Sequence, residues 1–476
     1  LARILGKWTS RGQSNGERLA EYLALAGAVR QLITDGRLAL GVRLPAEREL
    51  AGALGVSRTT IAAAYRTLRE TGHLTSRRGA GSWTALPAGQ RVVASGVWLP
   101  LDGPDVIDLS TAALPAPPEL ADAAREAVSE LAAYTAGVGY EPVGLPVLRE
   151  AVAAMYTERG LPTHAHQIMI TSGVQHALDL LLRVLVSPGH PVLVESPSYP
   201  HVLTALAARR ARVVTHNLGE DGWEDDLLLS GLRATRPRLA YLIPEYQNPT
   251  GHLMPMGTRQ RLAAAAHDTG TDLVVDESFV DLALDGQPPQ PPVAVFDRHA
   301  RVLSVGGMSK PFWGGLRIGW IRATPPLVAR LAAARVSVDL ASPVLEQLIA
   351  ARLLAQRDRV VGARRAELLV RRATLAAALR AELPAWRFRL PAGGVSLWVE
   401  LDAPVATALA RAAEDVGVRL TAGPQFGVDG TMERFVRVPY TLPAPDLVEV
   451  VRRLAKARAA VDRPGARRSL AALPPI

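Results

Sequence analysis

One lysine in this 476-residue chain has surroundings that a surface lysine does not need. Lys310 stands in GGMSKPFWGGLRIGW, preceded by Ser309 and followed by Phe312-Trp313, with Arg317 seven residues on. Glycines on both sides permit close approach of the backbone to a bound molecule. An amine so placed can condense with an aldehyde, best where its surroundings hold its pKa down. Other reactive types follow apolar runs elsewhere. DLVVDESF carries Asp276, and LIPEYQNPTG sets Asn248 before Pro249, where the peptide bond can be cis. VESPSYP presents Tyr199 between prolines. ITSGVQHAL passes through Ser172-Gly173 into a helix whose first amides, at Gly173, Val174 and Gln175, face an anion.

Taken singly, each of these has a plain structural reading. Asp276 or Asn248 serves as a strand-end cap or an Asx turn. Tyr199 serves as a core aromatic, Ser172-Gly173 as an ordinary helix start, and Arg317 as half of a surface ion pair. Taken together they complement one molecule, pyridoxal 5′-phosphate (PLP). Lys310, the candidate catalytic residue, supplies the amine for a Schiff base. Asp276 supplies the carboxylate that keeps the ring nitrogen protonated. Asn248 is a neutral donor for the phenolic oxygen, and Tyr199 is a neighbour for the ring face. The phosphate falls to Gly173, Val174, Gln175 and Arg317.

These residues need a scaffold, and the body of the chain describes one. QIMITSG, HPVLVESP, LAYLIPEYQ, DLVVDESF and VLSVGGMS alternate with helical stretches. Strand–helix alternation of this kind predicts a mostly parallel sheet covered on both faces, an α/β class, with ligands at the carboxyl ends of its strands. Apolar residues make up 48% and charged residues 21%, a globular composition. Without Cys there are no disulfides and no thiolate metal sites, and no metal site is expected. No run is long enough to span a membrane and no secretory pattern is present, so a cytoplasmic protein without a membrane partner is expected.

Charge singles out the other end of the chain. Of the net +9, residues 1–84 carry +7 and all the rest only +2. A basic module on a near-neutral body points to a polyanion partner. Within it, ERLAEYLALAGAVRQLITDG has Leu25, Val29, Leu32 and Ile33 at helical spacing. GVRLPAERELAGALG restarts after Pro45 with Leu50, Ala51 and Leu54 on one face and stops at Gly55. SRTTIAAAYRTLRETG opens on Ser57, an N-cap type, and buries Ile61, Ala64, Tyr65 and Leu68. HLTSRRGAGSWTAL then reads as a small hairpin. Helix, glycine turn, capped helix and basic hairpin make a winged helix-turn-helix. The second helix would present Ser57, Arg58, Thr59 and Thr60 to base edges, and the wing tip would offer Arg77, Arg78 and Gly79 to the backbone.

The stretch LPAERELAGALGVSRTTIAAAYRTLRETGHL resembles the GntR-family winged helix over residues 17–84. The resemblance implies DNA contacts from Arg48, Ser57, Arg58, Thr60, Arg78 and Gly79. Residues 85–106, rich in Pro and Gly, read as a linker, and residues 463–476 as a loose tail. Residues 107–462 resemble fold-type I PLP-dependent aminotransferases, with GYEPVG, TSGVQHAL, NPTG, SK, LRIGW and RFVRVPY in family order. That resemblance implies that Arg437 receives the α-carboxylate of a substrate or effector, Arg434 being the nearest wrong choice. It also places Tyr140, or Gly139 on a one-residue shift, in a region that reaches the neighbouring subunit's cofactor phosphate. Two departures are Gly307, where relatives carry a hydroxyl for the phosphate, and Phe279 (or Ser278), where they carry a tyrosine for the phenolic oxygen.

The fusion resembles the MocR-like regulators. It implies a PLP-dependent transcription factor that senses PLP or an amino compound through an aldimine at Lys310. It further implies a head-to-tail homodimer on a double-stranded operator with paired half-sites. The alternative is a working aminotransferase with a DNA-binding appendage, and a residual half-reaction is compatible with either. A body kept only as a dimerisation scaffold is a third reading, disfavoured by the presence of both Lys310 and Asp276.

Overall fold

The structure is a computed structural model that describes residues 1–5, 8, 20–77, 81–87, 105–286, 290–428 and 430–462. Arg78 and Gly79 of the wing tip, most of the expected linker and the expected tail lie outside the described residues.

The N-terminal unit is built on three helices, α1 (Glu21–Thr34), α2 (Glu47–Leu54) and α3 (Arg58–Glu70). Gly55, with φ +70°, ends α2 in the left-handed conformation that glycine adopts without strain. Two residues later the Ser57 Oγ accepts the amide of Thr60 at 3.0 Å and so fixes the start of α3. Ile61, Ala64, Tyr65 and Leu68 of α3 pack with Leu25, Val29, Leu32 and Ile33 of α1 in one apolar cluster. Ile61 has no exposed surface, and its truncation to alanine costs about 2–5 kcal/mol. With that face buried, Ser57, Arg58 and Thr59 stay exposed, as does Arg48 on α2. Strands β1 (Leu74–Arg77) and β2 (Gly81–Thr84) pair antiparallel to form the wing.

The body holds a seven-stranded sheet. Its strands are β3 (Ile168–Thr171), β4 (Pro191–Ser196), β5 (Arg212–Asn217), β6 (Leu239–Leu242), β7 (Asp272–Asp276), β8 (Val302–Gly307) and β9 (Gly319–Arg322). The order is β3-β9-β8-β7-β6-β4-β5; β4 to β8 run parallel, and β9 is antiparallel to both its neighbours. Alternate residues enter two separate apolar cores, so that Val274 of β7 packs on one side while Leu273 and Val275 pack on the other. Burial on both faces is why these strands read as unbroken apolar runs.

A four-stranded antiparallel sheet follows, made of β10 (Arg387–Phe388), β11 (Ser396–Glu400), β12 (Thr421–Ala422) and β13 (Phe435–Pro439), in the order β10-β11-β13-β12. Register places Arg437 of β13 between Trp398 and Thr421. Ile107–Asp108 pairs in parallel with Val418–Arg419, which carries the next residues, Ser110 to Ala112, across the gap between the two sheets. Among the described residues no helix is long and apolar enough to cross a membrane.

Candidate functional site

The site residues gather at one edge of the large sheet because the topology sends them there. Gly173 follows β3, Tyr199 follows β4, Asn248 lies beyond β6, Asp276 ends β7 and Lys310 follows β8. Arg317 precedes β9, and because β9 runs the other way its beginning lies at that same edge. The register confirms this, with Gly319 opposite both Thr171 and Gly307.

Lys310 is half-buried, and its Nζ donates to the carbonyl of Ala112 at 2.8 Å. The Phe279 ring lies 5.7 Å from the same ammonium. Burial, with the nearby charge of Arg437, pushes the Lys310 pKa down to about 8, while Asp276 opposes the shift. Asp276 is itself buried, which raises its pKa; hydrogen bonds from Ser278 and Tyr241 and the charge of Lys310 pull it back. Tyr241 Oη donates to Asp276 Oδ2 at 2.7 Å, and the Ser278 amide donates to Oδ1 at 2.9 Å. The acid is thus aimed and kept ionisable in an apolar strand.

Tyr199 Oη and His201 Nδ1 lie 2.8 Å apart. Burial and the charge of Asp276 push the Tyr199 phenol up to about 12, while Arg437 and Arg317 pull it down. One ring therefore feels three of the candidate groups. Gln175, in the first turn of α4 (Val174–Leu185), donates weakly to the carbonyl of His201 at 3.5 Å. Its Oε1 is buried without a hydrogen-bond partner. Asn248 is nearly buried, and its bond to Pro249 is cis.

At the Gly173 turn, Arg317 Nη2 donates to the carbonyl of Ser172 at 2.9 Å. A Cβ on Gly319 would come within 2.8 Å of the Val174 amide nitrogen, so glycine is what lets β9 pass so close to the start of α4. Gly307 is likewise crowded, since a Cβ there would stand 3.0 Å from Val174 Cγ2. The missing hydroxyl at that position is thus matched by a missing space.

Arg437 is 6 % exposed and lies over the Phe426 ring, 5.0 Å from its centroid. It donates to the carbonyl of Ser110, while its Nε is buried without a partner. Burial lowers its pKa to about 10, against the charges of Tyr199 and Asp108. Arg434 is directed elsewhere, to the carbonyls of Leu401 and Asp402. Ser309 sits half-buried beside Lys310. Tyr140 stands apart from this group, 64 % exposed on the surface of its own chain.

Sequence reasoning missed Tyr241, His201, Phe426 and the carbonyls of Ser110 and Ala112. Tyr241 left a signal, a hydroxyl in an otherwise apolar strand, and such a buried hydroxyl needs a partner. His201 stands two residues from Tyr199, also within reach of pattern reading. The carbonyls left none.

Comparison with known proteins identifies both units of the chain. Residues 104–454 match the aminotransferase class I and II family, and residues 21–83 match the bacterial regulatory proteins of the gntR family. The chain belongs to the class I and II aminotransferase family in its MocR-like, gntR-fused form. It is 34% identical to 2-aminoadipate transaminase of Thermus thermophilus over 331 residues, 68% of this chain and 81% of that protein. It is 27% identical to the HTH-type transcriptional regulator TauR of Rhodobacter capsulatus over 91% of this chain and 96% of that one. The crystal structure of the Thermus thermophilus α-aminoadipate aminotransferase LysN, complexed with N-(5′-phosphopyridoxyl)-L-leucine, superposes with a TM-score of 0.69. That match is 31% identical and covers 75% of this chain and 93% of LysN. The MocR-like chain therefore combines a fold-type I aminotransferase body with a winged helix of DNA-binding type.

Proposed function

We propose that this MocR-like protein is a PLP-dependent transcriptional regulator whose body captures a carboxylate-bearing amino compound. The observation that carries the reading is the Lys310 amine. It is drawn down to about 8 by burial and Arg437, and it lies within the field of Asp276, at the sheet edge where the phosphate turn also sits.

The residues present fit PLP. Lys310 Nζ would hold the aldehyde, and Asp276, aimed by Tyr241 and Ser278, would hold the proton of the ring nitrogen. Asn248 would donate to the phenolic oxygen and Tyr199, steadied by His201, would cover the ring. The Val174 and Gln175 backbone amides with Arg317 would hold the phosphate. When bound, PLP supplies an aldehyde that condenses with amines and a ring that withdraws electrons. Arg437, whose Nε has no partner, would receive the ligand's carboxylate and orient its amine toward Lys310. Phe279 offers no hydroxyl to the phenolic oxygen, which favours capture of a ligand over rapid turnover.

The winged helix supplies the output. Ser57, Arg58, Thr59 and Thr60 at the start of α3, with Arg48, Arg78 and Gly79, would contact the operator. A two-fold, head-to-tail dimer would present two winged helices to paired half-sites and bring Tyr140 to the partner's cofactor. The units proposed are the winged helix at 17–84, the linker at 85–106, the body at 107–462 and the tail at 463–476.

The test is the visible spectrum of the purified protein titrated with PLP, beside the Lys310→Ala variant. A lysine-dependent absorption band, perturbed by amino acids and accompanied by a change in operator affinity, is the expected result. Steady conversion of an amino acid to its 2-oxo acid would favour the working aminotransferase instead. No band in either protein would overturn the PLP reading.

A further inference from the structure

The two units of the chain touch at a place that is continuous with the candidate ligand site. The C-terminus of α1 meets the turn that leads into β13. Met432 donates its amide to the carbonyl of Thr34 at 2.7 Å. Gly36, with φ +69°, lies so close that a Cβ there would stand 2.4 Å from Met432 Cε. Between them Asp35 is 6 % exposed, with Oδ1 3.6 Å from Arg434 Nε. Neither of those two atoms has a hydrogen-bond partner, so the pair is held by its position between the units and by charge. Arg434 is anchored on the body side through the carbonyls of Leu401 and Asp402.

The same segment reaches the ligand site at its other end. Phe426 stacks on Arg437, and its carbonyl accepts the amide of Ser198 at 2.9 Å, next to Tyr199. The two ends are packed on each other, since a Cβ on Gly423 would come 2.2 Å from the Met432 carbonyl oxygen. Met432 holds φ +77°, a left-handed conformation that a side chain rarely adopts. A second route runs through rings: Phe426 meets Trp398 edge-on at 5.4 Å, and Trp398 stacks on Phe435 at 5.2 Å, the residue after Arg434.

We propose that residues 423–428 and 430–434 are the coupling element of this chain, and that the Asp35–Arg434 contact is the latch by which the winged helix reads occupation of Arg437. A carboxylate arriving at Arg437 competes with the Ser110 carbonyl and draws the guanidinium across Phe426. Phe426 cannot shift without moving Gly423 against Met432, and Met432 carries Thr34. The inference rests on the proposed carboxylate role of Arg437. Linkage then requires that DNA alter ligand affinity by the factor by which the ligand alters DNA affinity.

The absence of cysteine makes a direct test simple. Spin labels at Glu70→Cys, exposed on α3, and Val448→Cys, exposed on the body, report the distance between the units in the full chain. Labelled protein is diluted with unlabelled protein so that each assembly holds one labelled copy. The probes are N-(5′-phosphopyridoxyl)-L-leucine, which has a carboxylate, and pyridoxamine 5′-phosphate, which has none. The first should shift the distance distribution and the second should not. Asp35→Ala and Arg434→Ala should abolish that shift while binding the first probe within about twofold of the parent, by tryptophan quenching. Asp35→Asn, which keeps the shape and removes the charge, should behave the same way and guards against misfolding. A shift retained in full by these variants overturns the latch. Binding of both probes with no shift in the parent overturns the coupling alone. Binding of the second probe without the first overturns the Arg437 reading and the coupling with it, and binding of neither overturns the PLP reading on which both rest.

Discussion

The guanidinium of Arg317 occupies the space that a side chain on Gly173 would need: a Cβ there would lie 2.7 Å from Nη2. Gly173 also holds φ +90° and ψ 170°, a region open essentially to glycine alone, which costs another residue about 1–3 kcal/mol. Gly173→Ala should therefore lower stability and, by displacing Arg317 from the turn, weaken PLP binding as well. Gly189→Ala is the control, because that residue has φ +81° and nothing within 4 Å of its Cβ position. It should lose only the stability that its positive φ costs and keep its PLP affinity. Thermal melts and PLP titrations of the two variants separate strain from crowding. Equal PLP affinity in both would remove the Gly173 turn from the phosphate site.

The lowered pKa of Lys310 sets a pH profile. With its pKa at about 8 in place of the ordinary 10.5, about a tenth of the amine is free at pH 7. The rate of PLP capture should rise close to tenfold per pH unit below 8 and level off above it. Arg437→Ala removes one cause of the depression, and its profile should move to higher pH. A parent profile still climbing at pH 10 would contradict the burial of this amine. The sign for stability follows from the same shift. Between about 8 and 10.5 the unfolded chain binds this proton more tightly than the folded one, so the group adds stability as pH rises through that window.

Tyr241 should matter through Asp276 alone. Loss of one hydrogen bond to a buried carboxylate costs about 1.5–3 kcal/mol, so Tyr241→Phe should weaken PLP binding by about tenfold or more. Asp276→Asn should weaken it further, and the double variant should be no worse than Asp276→Asn, as expected for residues acting as a unit. A Tyr241→Phe protein that binds PLP like the parent would show that Asp276 needs no such support.

What could be read from the sequence and what could not divide along a physical line. Strand ends were legible, because apolar runs stop where the chain leaves the sheet, and Lys310, Asp276, Asn248 and Tyr199 stand just there. The winged helix was legible from the Ser57 cap, the Gly55 stop and the spacing of Ile61, Tyr65 and Leu68. The carbonyls of Ser110 and Ala112 were not, because every residue has a carbonyl and only the tertiary fold brings these two to Arg437 and Lys310. Choosing between Arg434 and Arg437 from the residues alone was equally out of reach. Their separation depends on β-pairing that buries one against Phe426 and turns the other toward α1. Gly307 shows the reverse case, a missing hydroxyl visible in sequence whose steric reason, Val174, is visible only in the fold.

Arg58 offers a test of the DNA-binding half that does not depend on PLP. Its Nε lies 3.3 Å from Glu47 Oε2, with the Arg58 side chain exposed and Glu47 half-buried, so the pair is worth about 0.2–1 kcal/mol at most. An approaching phosphate or base edge can take over the guanidinium at little cost. Arg58→Ala should weaken operator binding, while Glu47→Ala should leave it equal or slightly tighter by freeing Arg58. The salt dependence then says what Arg58 touches. If it meets a phosphate, the slope of log affinity against log salt should fall by about one for each winged helix engaged, on specific and random DNA alike. If it meets a base, the slope should hold and discrimination at one operator position should drop by about 1–3 kcal/mol. Unchanged affinity and slope in Arg58→Ala would remove the start of α3 from the DNA interface.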